Sequence, residues 1–251
     1  MSDSQSPPPD VDFGYRSVPR PQKASLVRQV FESVAPRYDL MNDLMSLGVH
    51  RLWKRAFIET IAPGPRETLL DIAGGTGDIS FLALERGAGR VLLSDVNPAM
   101  LAVAQGRALD RGLAAGLCFL AADAERLPLP DRSVEKVSIA FGLRNCTDKD
   151  AVLREARRVL RPGGRFHCLE FSRLAIAPLQ PLYDAWSFQV LPRLGARVAQ
   201  DAASYQYLAE SIRTFPDQET LAEMMARAGF ERIAWRNLAG GIVAIHAGWR
   251  L

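Results

Sequence analysis

The run from Leu69 to Asp78 constrains the fold of this chain most, because it joins a short apolar stretch to three glycines in four positions. It reads Leu-Leu-Asp-Ile-Ala-Gly-Gly-Thr-Gly-Asp and places Asp71 near the end of a buried strand. Glycines at a strand-to-helix turn let the backbone approach a ligand closely at the carboxyl edge of an open α/β sheet. The run therefore predicts a nucleotide-type ligand site at that edge.

Short apolar runs alternate with helical patterns from here onward, which predicts a parallel sheet with helices on both faces. Two final strands, 232–238 and 241–248, are joined by a tight turn and predict an antiparallel pair. The expected fold class is therefore α/β, a Rossmann-like, mostly parallel seven-stranded sheet with an antiparallel last strand. The other predicted strands are Thr68–Ile72, Arg90–Asp95, Leu117–Ala121, Val134–Ala140 and 165–171.

The segments outside this alternation suggest the domain organisation. Residues 1–23 contain five prolines among serine and aspartate, a composition that predicts a disordered N-terminal arm. Residues 24–251 are then one domain. Within it, helical patterns in 24–63 predict N-terminal lid helices, and the irregular stretch 172–216 predicts a helical insertion over the substrate site.

Composition excludes several classes of protein. With 31 Lys and Arg against 28 Asp and Glu, the net charge of +3 does not favour a nucleic-acid backbone binder. Three cysteines without a C-x-x-C pair argue against a structural zinc site and for a reducing compartment. Because no apolar run approaches the roughly 18 residues of a membrane span, we expect a cytoplasmic protein that meets membranes only from the surface.

Two further acids narrow the ligand. Asp95 ends the second strand of the alternation and is placed to accept both ribose hydroxyls of a nucleoside, while Asp123 follows the third strand and is placed to bind an adenine amino group. A dinucleotide site would show G-x-G-x-x-G or A, but Ser80 stands at the last position. These features favour S-adenosylmethionine over a dinucleotide.

The glycine loop, Asp95, Asp123 and the run Arg161-Pro-Gly-Gly together resemble class I S-adenosylmethionine-dependent methyltransferases, although Ala73 stands where that family usually has glycine. Longer runs resemble the ubiquinone/menaquinone biosynthesis C-methyltransferases, the UbiE family, from about Lys23 to the C-terminus. They are Tyr38-Asp-Leu-Met-Asn-Asp-Leu-Met-Ser, Gly48-x-His-Arg-x-Trp, Ala140-Phe-Gly-Leu-Arg-Asn, Leu169-Glu-Phe-Ser and Ser204-Tyr-x-Tyr-Leu-Ala-Glu-Ser-Ile leading to Phe215-Pro-x-Gln.

This resemblance implies C-methylation of a polyprenyl benzoquinol, a demethylmenaquinol or both, with S-adenosylmethionine as methyl donor and no metal. The alternatives are a methyltransferase for another small aromatic or lipid-like substrate, and a non-catalytic scaffold of the quinone pathway. The cofactor-binding residues expected from the motifs and the resemblance are Asp71, Gly74, Gly75, Thr76, Gly77, Asp95, Asp123, Ala124, Ala140 and Tyr38.

The resemblance also implies catalytic residues. Arg144 is the expected cation for a developing phenolate, with a role in deprotonation through water; a salt bridge beside the cofactor carboxylate is the alternative. Asp201 and Tyr205 are expected to contact the quinol hydroxyls, unless they cap a helix and fill the core, respectively. His50 titrates in a useful range, but packing of the lid helix is favoured for it.

The expected partners follow from a substrate that lives in lipid. We expect a membrane-embedded prenylated quinol, peripheral contact with the inner face of the cytoplasmic membrane, and other enzymes of quinone biosynthesis as partners. The apolar and then basic stretch 179–197 could provide the membrane contact, and core packing of a cap over the site is an equal alternative for it. The sequence contains no stripe of basic and aromatic residues of the kind that binds nucleic acid, so we expect no nucleic-acid partner. A homodimer is left open.

Overall fold

The computed structural model describes residues 10–34, 43, 46, 48–175, 178 and 202–251. The strands are β1 Val11–Phe13, β2 Arg16–Val18, β3 Thr68–Ile72, β4 Arg90–Asp95, β5 Leu117–Ala121, β6 Val134–Ala140, β7 Leu160–Phe171, β8 Glu231–Leu238 and β9 Val243–Trp249. The α-helices are α1 Arg20–Val34, α2 His50–Ile61, α3 Asp78–Glu85, α4 Pro98–Asp110, α5 Lys149–Val159, α6 Ala202–Arg213 and α7 Gln218–Arg227.

Seven strands form the central sheet in the order β5-β4-β3-β6-β7-β9-β8. The first five are parallel, whereas β9 pairs antiparallel with both β7 and β8. The order reverses between β3 and β6, and ligands of open α/β sheets bind at the carboxyl ends of the strands near such a switch point. The expected fold class is confirmed.

Helix starts follow the signals in the sequence. Pro98 opens α4 behind Asn97, whose side chain accepts a hydrogen bond of 2.9 Å from the Ala99 N–H. Asp148 caps α5 in the same way, with 2.8 Å to the Ala151 N–H. Because these side-chain oxygens satisfy backbone donors that have no partner within the helix, they fix where each helix begins.

The core lies on both faces of the sheet. On one face, α5 and α7 pack against β3, β6 and β7; on the other, α2, α3 and α4 pack against β3 and β4. The β3 residues Leu69, Leu70 and Ile72 are all buried, as expected for a central strand covered on both sides. This rigid centre fixes the loops at the carboxyl edge.

The prediction of a disordered arm is wrong for residues 10–23. β1 and β2 form a hairpin, α1 begins at Arg20, and Phe13 is buried with its ring stacked on Tyr207 at 4.2 Å. Proline-rich composition did not reveal this, because the apolar partner lies on α6, far along the chain. Residues 1–9 lie outside the described part.

The predicted insertion 172–216 is described only at its ends. Its last part forms α6, whose residues Tyr207 and Leu208 pack with Phe13 in a small cluster of their own. Residues 176–177 and 179–201 lie outside the described residues, so the membrane-contact stretch stays a prediction. Within the described residues, no helix has the length and apolar character needed to cross a membrane.

Candidate active site

A pocket lies at the carboxyl edge of the sheet, where the loops after β3, β4, β5 and β6 converge and α1 closes one side. It contains two of the predicted acids, Asp95 and Asp123, and the central glycine of the loop, Gly75. The remaining lining residues are Ala24, Val27, Arg28, Ala73, Val96, Asn97, Met100, Ala122, Ala124, Glu125, Ala140, Phe141, Gly142, Asn145, Cys146 and Thr147.

The three loop glycines have different tasks. Gly75 adopts φ +56° and lines the pocket. A Cβ on Gly77, at φ +92°, would lie 2.7 Å from the Phe81 ring, and one on Gly74 would lie 3.0 Å from the Asp71 carboxylate. Gly75 therefore faces the pocket, while the absence of a side chain at Gly74 and Gly77 allows close packing against Asp71 and Phe81; cofactor contact by the three glycines stays a prediction.

Asp71 and Thr76 are buried and are not among the residues that line the pocket, so their contact with the cofactor stays a prediction. Asp71 is fully buried and accepts hydrogen bonds of 2.8 Å from the hydroxyls of Ser80 and Ser138. Burial raises its pKa to about 6, against those two hydrogen bonds, which lower it. The Thr76 hydroxyl is buried and accepts a hydrogen bond of 3.2 Å from Arg107. Both residues therefore stabilise the loop through hydrogen bonds on the side that faces away from the pocket.

Asp95 fits the ribose of the expected cofactor. One carboxylate oxygen accepts 2.9 Å from the Gly75 N–H and the other 2.8 Å from the Asn97 N–H, which leaves each oxygen able to accept another hydrogen bond. Burial raises the pKa of this carboxyl. The neighbouring Val96 is 46% exposed and offers an apolar surface for a flat base. Asp123 is exposed at the same pocket, with one oxygen bonded to the Glu125 N–H at 2.9 Å.

The turn after β6 approaches the glycine loop in a strained conformation. Phe141 has φ +55° and Ala73 has φ +51°, both rare for residues with a side chain. A Cβ added to Gly142 would lie 2.7 Å from the Ala73 Cβ. Such strain persists only where surrounding contacts enforce it, and it concentrates at functional sites.

Arg144 forms a buried salt bridge, as the alternative given for it in the sequence analysis expects, and its partner is Glu170. Its side chain is buried and binds both carboxylate oxygens of Glu170, at 2.9 and 3.1 Å. The guanidinium also lies over the rings of Phe171 and Phe141, at 5.3 and 5.9 Å. A buried guanidinium needs a counter-charge, and a residue 26 positions away on β7 supplies it.

Asn145 and Tyr207 form a polar contact that sequence reasoning did not single out. Asn145 lines the pocket, and its side-chain oxygen accepts a hydrogen bond of 3.1 Å from the Tyr207 hydroxyl. Tyr205, the tyrosine chosen from the sequence, is 2% exposed in the cluster around Phe13 and is absent from the described pocket lining. The structure therefore favours the alternative given for Tyr205, that its side chain fills the core.

Helix α1 covers the pocket and is fastened at its start. Arg20 pairs with Asp148 at 2.8 Å, and the buried Lys23 donates 3.1 Å to the Cys146 carbonyl. Burial lowers the Lys23 pKa to about 8. Ala24 and Val27 then face the pocket. Helix α1, which begins within the predicted arm, therefore forms one side of the pocket, and the lid role of residues 24–63 stays a prediction.

His50 has a packing role in this structure. It is buried at the start of α2, its Nδ1 is 2.8 Å from the Ser46 hydroxyl, and burial and Lys54 lower its pKa. Tyr38 and Asp201 lie outside the described residues. Among the residues that are described, no three metal-ligating side chains come together.

The model of the ubiE/COQ5 methyltransferase family matches residues 19–250. The chain belongs to this family. It is 66% identical to the ubiquinone/menaquinone biosynthesis C-methyltransferase UbiE of Acidiphilium cryptum, over the full length of both chains. The protein of the same name from Xylella fastidiosa strain M23 is 53% identical, again over the full length of both.

Solved structures similar to this family member agree on the fold. A methyltransferase from Thermotoga maritima, described as dependent on S-adenosylmethionine, aligns with a TM-score of 0.65 at 18% identity, covering 90% of this chain and all of the other. The geranyl diphosphate C-methyltransferase of Streptomyces coelicolor aligns with a TM-score of 0.58 at 15% identity, covering 82% of each chain. This member of the ubiE/COQ5 family is therefore an enzyme with the S-adenosylmethionine-dependent methyltransferase fold.

Proposed function

We propose that this enzyme transfers a methyl group from S-adenosylmethionine to a ring carbon of a prenylated quinol in ubiquinone/menaquinone biosynthesis, a polyprenyl benzoquinol or a demethylmenaquinol. The observation that carries the proposal is the pocket holding Asp95, Asp123 and Gly75 in a chain of this family. Full-length relatives named for that pathway support the substrate class.

The pocket residues bind and orient the cofactor. Asp95 accepts the ribose hydroxyls, Asp123 accepts the adenine amino group, and Val96 packs on the base. The cofactor supplies an electrophilic methyl group on a sulfonium ion. Helix α1 keeps bulk water from the methyl group, since Ala24 and Val27 cover the pocket.

The ring carbon becomes nucleophilic when a neighbouring hydroxyl loses its proton. A free phenol titrates near about 10, by analogy with tyrosine, so the enzyme must favour the anion at neutral pH. Arg144 stabilises that phenolate, and the hydroxyl proton leaves through water. Once the ring carbon carries the methyl group, its own hydrogen leaves as a proton and the ring oxygen takes up a proton, which restores the aromatic quinol. The quinol must be reduced, because a quinone carbonyl withdraws electrons from the ring whereas a quinolate donates them.

The test is methyl transfer by purified enzyme with prenylated benzoquinol and naphthoquinol, each kept reduced by dithionite and each also supplied oxidised. Mass spectrometry should place the new methyl group on a ring carbon of the reduced substrate, and the oxidised form should be inert. An O-methyl product, or equal rates on both redox states, contradicts the proposal. Absence of S-adenosylmethionine binding in calorimetry would instead support the scaffold alternative.

We further propose peripheral contact with the inner membrane face, because a prenyl tail resides in lipid. The stretch 179–197 supplies an apolar run with Trp186 and, at its end, Arg193 and Arg197. Cosedimentation with vesicles of anionic lipid should fall as salt rises, since screening weakens surface attraction. Trp186→Ala should weaken it further; no binding at low salt would leave this stretch as a cap only.

A further inference from the structure

Glu170, near the end of β7, is a buried carboxylate whose contacts all converge on the turn after β6 or on its own backbone. Its side chain is 1% exposed. Besides the Arg144 guanidinium, it accepts 3.2 Å from the Arg144 backbone N–H and 2.9 Å from the Phe171 N–H. Burying a carboxylate costs free energy unless such donors and a counter-charge satisfy it.

These contacts hold a strained turn in place. The Arg144 Nη1 that binds Glu170 also donates 2.7 Å to the carbonyl of Phe141, the residue at φ +55°. Phe141 and Asn145 both line the cofactor pocket. Removing Glu170 would therefore release both the guanidinium and the backbone segment that shapes the pocket wall.

Glu170 also balances the charge of Arg144. Among the described residues, two other titratable groups interact with this pair: Tyr207 on α6 with both Arg144 and Glu170, and Cys168 on β7 with Glu170. Burial raises the pKa of Tyr207 and of Cys168, so both are uncharged at neutral pH.

We propose that Glu170 is a positioning residue for methyl transfer: acting through Arg144, it holds the turn 141–145 and sets how much positive charge the substrate hydroxyl meets. This inference rests on the proposed role of Arg144 in stabilising the phenolate. A neutral ion pair attracts a developing anion less than an uncompensated guanidinium does, and the difference is large in a buried, low-dielectric site.

The test compares Glu170→Gln and Glu170→Asp with the native enzyme in the pH dependence of kcat at saturating reduced substrate, which reports ionisation within the enzyme–substrate complex. The glutamine variant removes the negative charge at nearly constant shape. The acid limb of its pH profile should move to lower pH by about one unit, which corresponds to a tenfold change in the ratio of ionised to neutral substrate hydroxyl. The aspartate variant keeps the charge, so its limb should stay in place while kcat falls through looser positioning of the turn.

Glu155→Gln is the matched control, because Glu155 also binds an arginine, Arg158, and a backbone N–H, that of Leu127, away from the pocket. Its limb should not move. As a second measurement, absorbance titration of a bound prenylated nitrophenol, whose anion absorbs visible light, reports the same shift without turnover. It also serves if the glutamine variant is folded but inactive.

An unchanged limb and an unchanged nitrophenol titration in Glu170→Gln overturn the inference, whatever the loss in rate, because a purely structural role lowers activity at every pH. If Glu170→Gln does not fold, Glu170→Asp decides. The inference is overturned if the acid limb of its pH profile moves while its kcat stays at the native value. Arg144→Gln separates the inference on Glu170 from the proposed role of Arg144. Native turnover in that variant would exclude the role of Arg144 in stabilising the phenolate. The proposed function is judged separately, by whether the native enzyme makes the C-methylated product.

Discussion

The Tyr207 hydroxyl donates a hydrogen bond of 3.1 Å to the side-chain oxygen of Asn145, which links α6 to the turn that lines the pocket at the carboxyl edge of the sheet. The other side of the same tyrosine stacks on Phe13 at 4.2 Å. Tyr207 on α6 thus contacts both the N-terminal hairpin, through Phe13, and the loop after β6, through Asn145. Tyr207 therefore links the N-terminal hairpin to Asn145.

Tyr207→Phe should lower kcat/KM for the quinol about three- to tenfold, because one hydrogen bond contributes about 0.5–1.5 kcal/mol and its loss frees Asn145. Steady-state kinetics on reduced substrate measure it. Tyr205→Phe is the matched control on the same helix and should stay within about twofold of the native enzyme. The reverse ranking would restore the sequence-based choice of Tyr205.

Asp95→Ala should weaken S-adenosylmethionine binding by about 1.5–3 kcal/mol, the usual contribution of hydrogen bonds to a charged group. The Gly75 and Asn97 N–H groups also lose their acceptor in this variant. Titration calorimetry gives the dissociation constant, and circular dichroism checks folding. Asp110→Ala, an exposed acid at the end of α4, should bind the cofactor normally. Native affinity in folded Asp95→Ala would exclude the ribose contact.

Gly142→Ala should impair cofactor binding at least tenfold, because its Cβ would lie 2.7 Å from the Ala73 Cβ and force the turn away from the glycine loop. Calorimetry on the variant measures the change. Gly106→Ala is the counterpart in α4, where an added Cβ meets nothing within 4 Å. It should raise the free energy of unfolding by about 0.5–1 kcal/mol, since alanine favours a helix interior. Equal affinity in both variants would contradict the tight approach of the two loops.

Asp71→Asn should change how stability depends on pH. Burial raises the Asp71 pKa from its ordinary 3.8 to about 6 in the folded protein, so the folded state binds more protons between those values. The stability this group contributes is complete below about pH 4 and is lost as pH rises through 6. Asparagine does not titrate. The free energy of unfolding of the variant, measured with urea, should therefore rise relative to that of the native protein between pH 4 and 7, by on the order of 2–3 kcal/mol. A constant difference would rule out a raised pKa.

The sequence by itself determined the sheet and the cofactor edge. Strands Thr68–Ile72, Arg90–Asp95, Leu117–Ala121 and Val134–Ala140 were predicted with the bounds that the structure gives them, since short apolar runs between turn signals are local features. Parallel strands end at the same edge of a sheet. Asp95 and Asp123 therefore had to lie near the glycine loop once the strands were assigned.

Only the tertiary structure decided which side chains complete the site. Tyr205 and Tyr207 are both buried on one helix, about 200° apart around its axis, and packing against Phe13 orients Tyr207 toward Asn145. No local pattern contains that rotation. The same holds for the partner of Arg144: a guanidinium signals a need for a counter-charge, but the choice of Glu170 depends on how β6 and β7 are paired. Contacts between distant segments form only when the whole core is packed, so the sequence pattern could name the cofactor and could not name these partners.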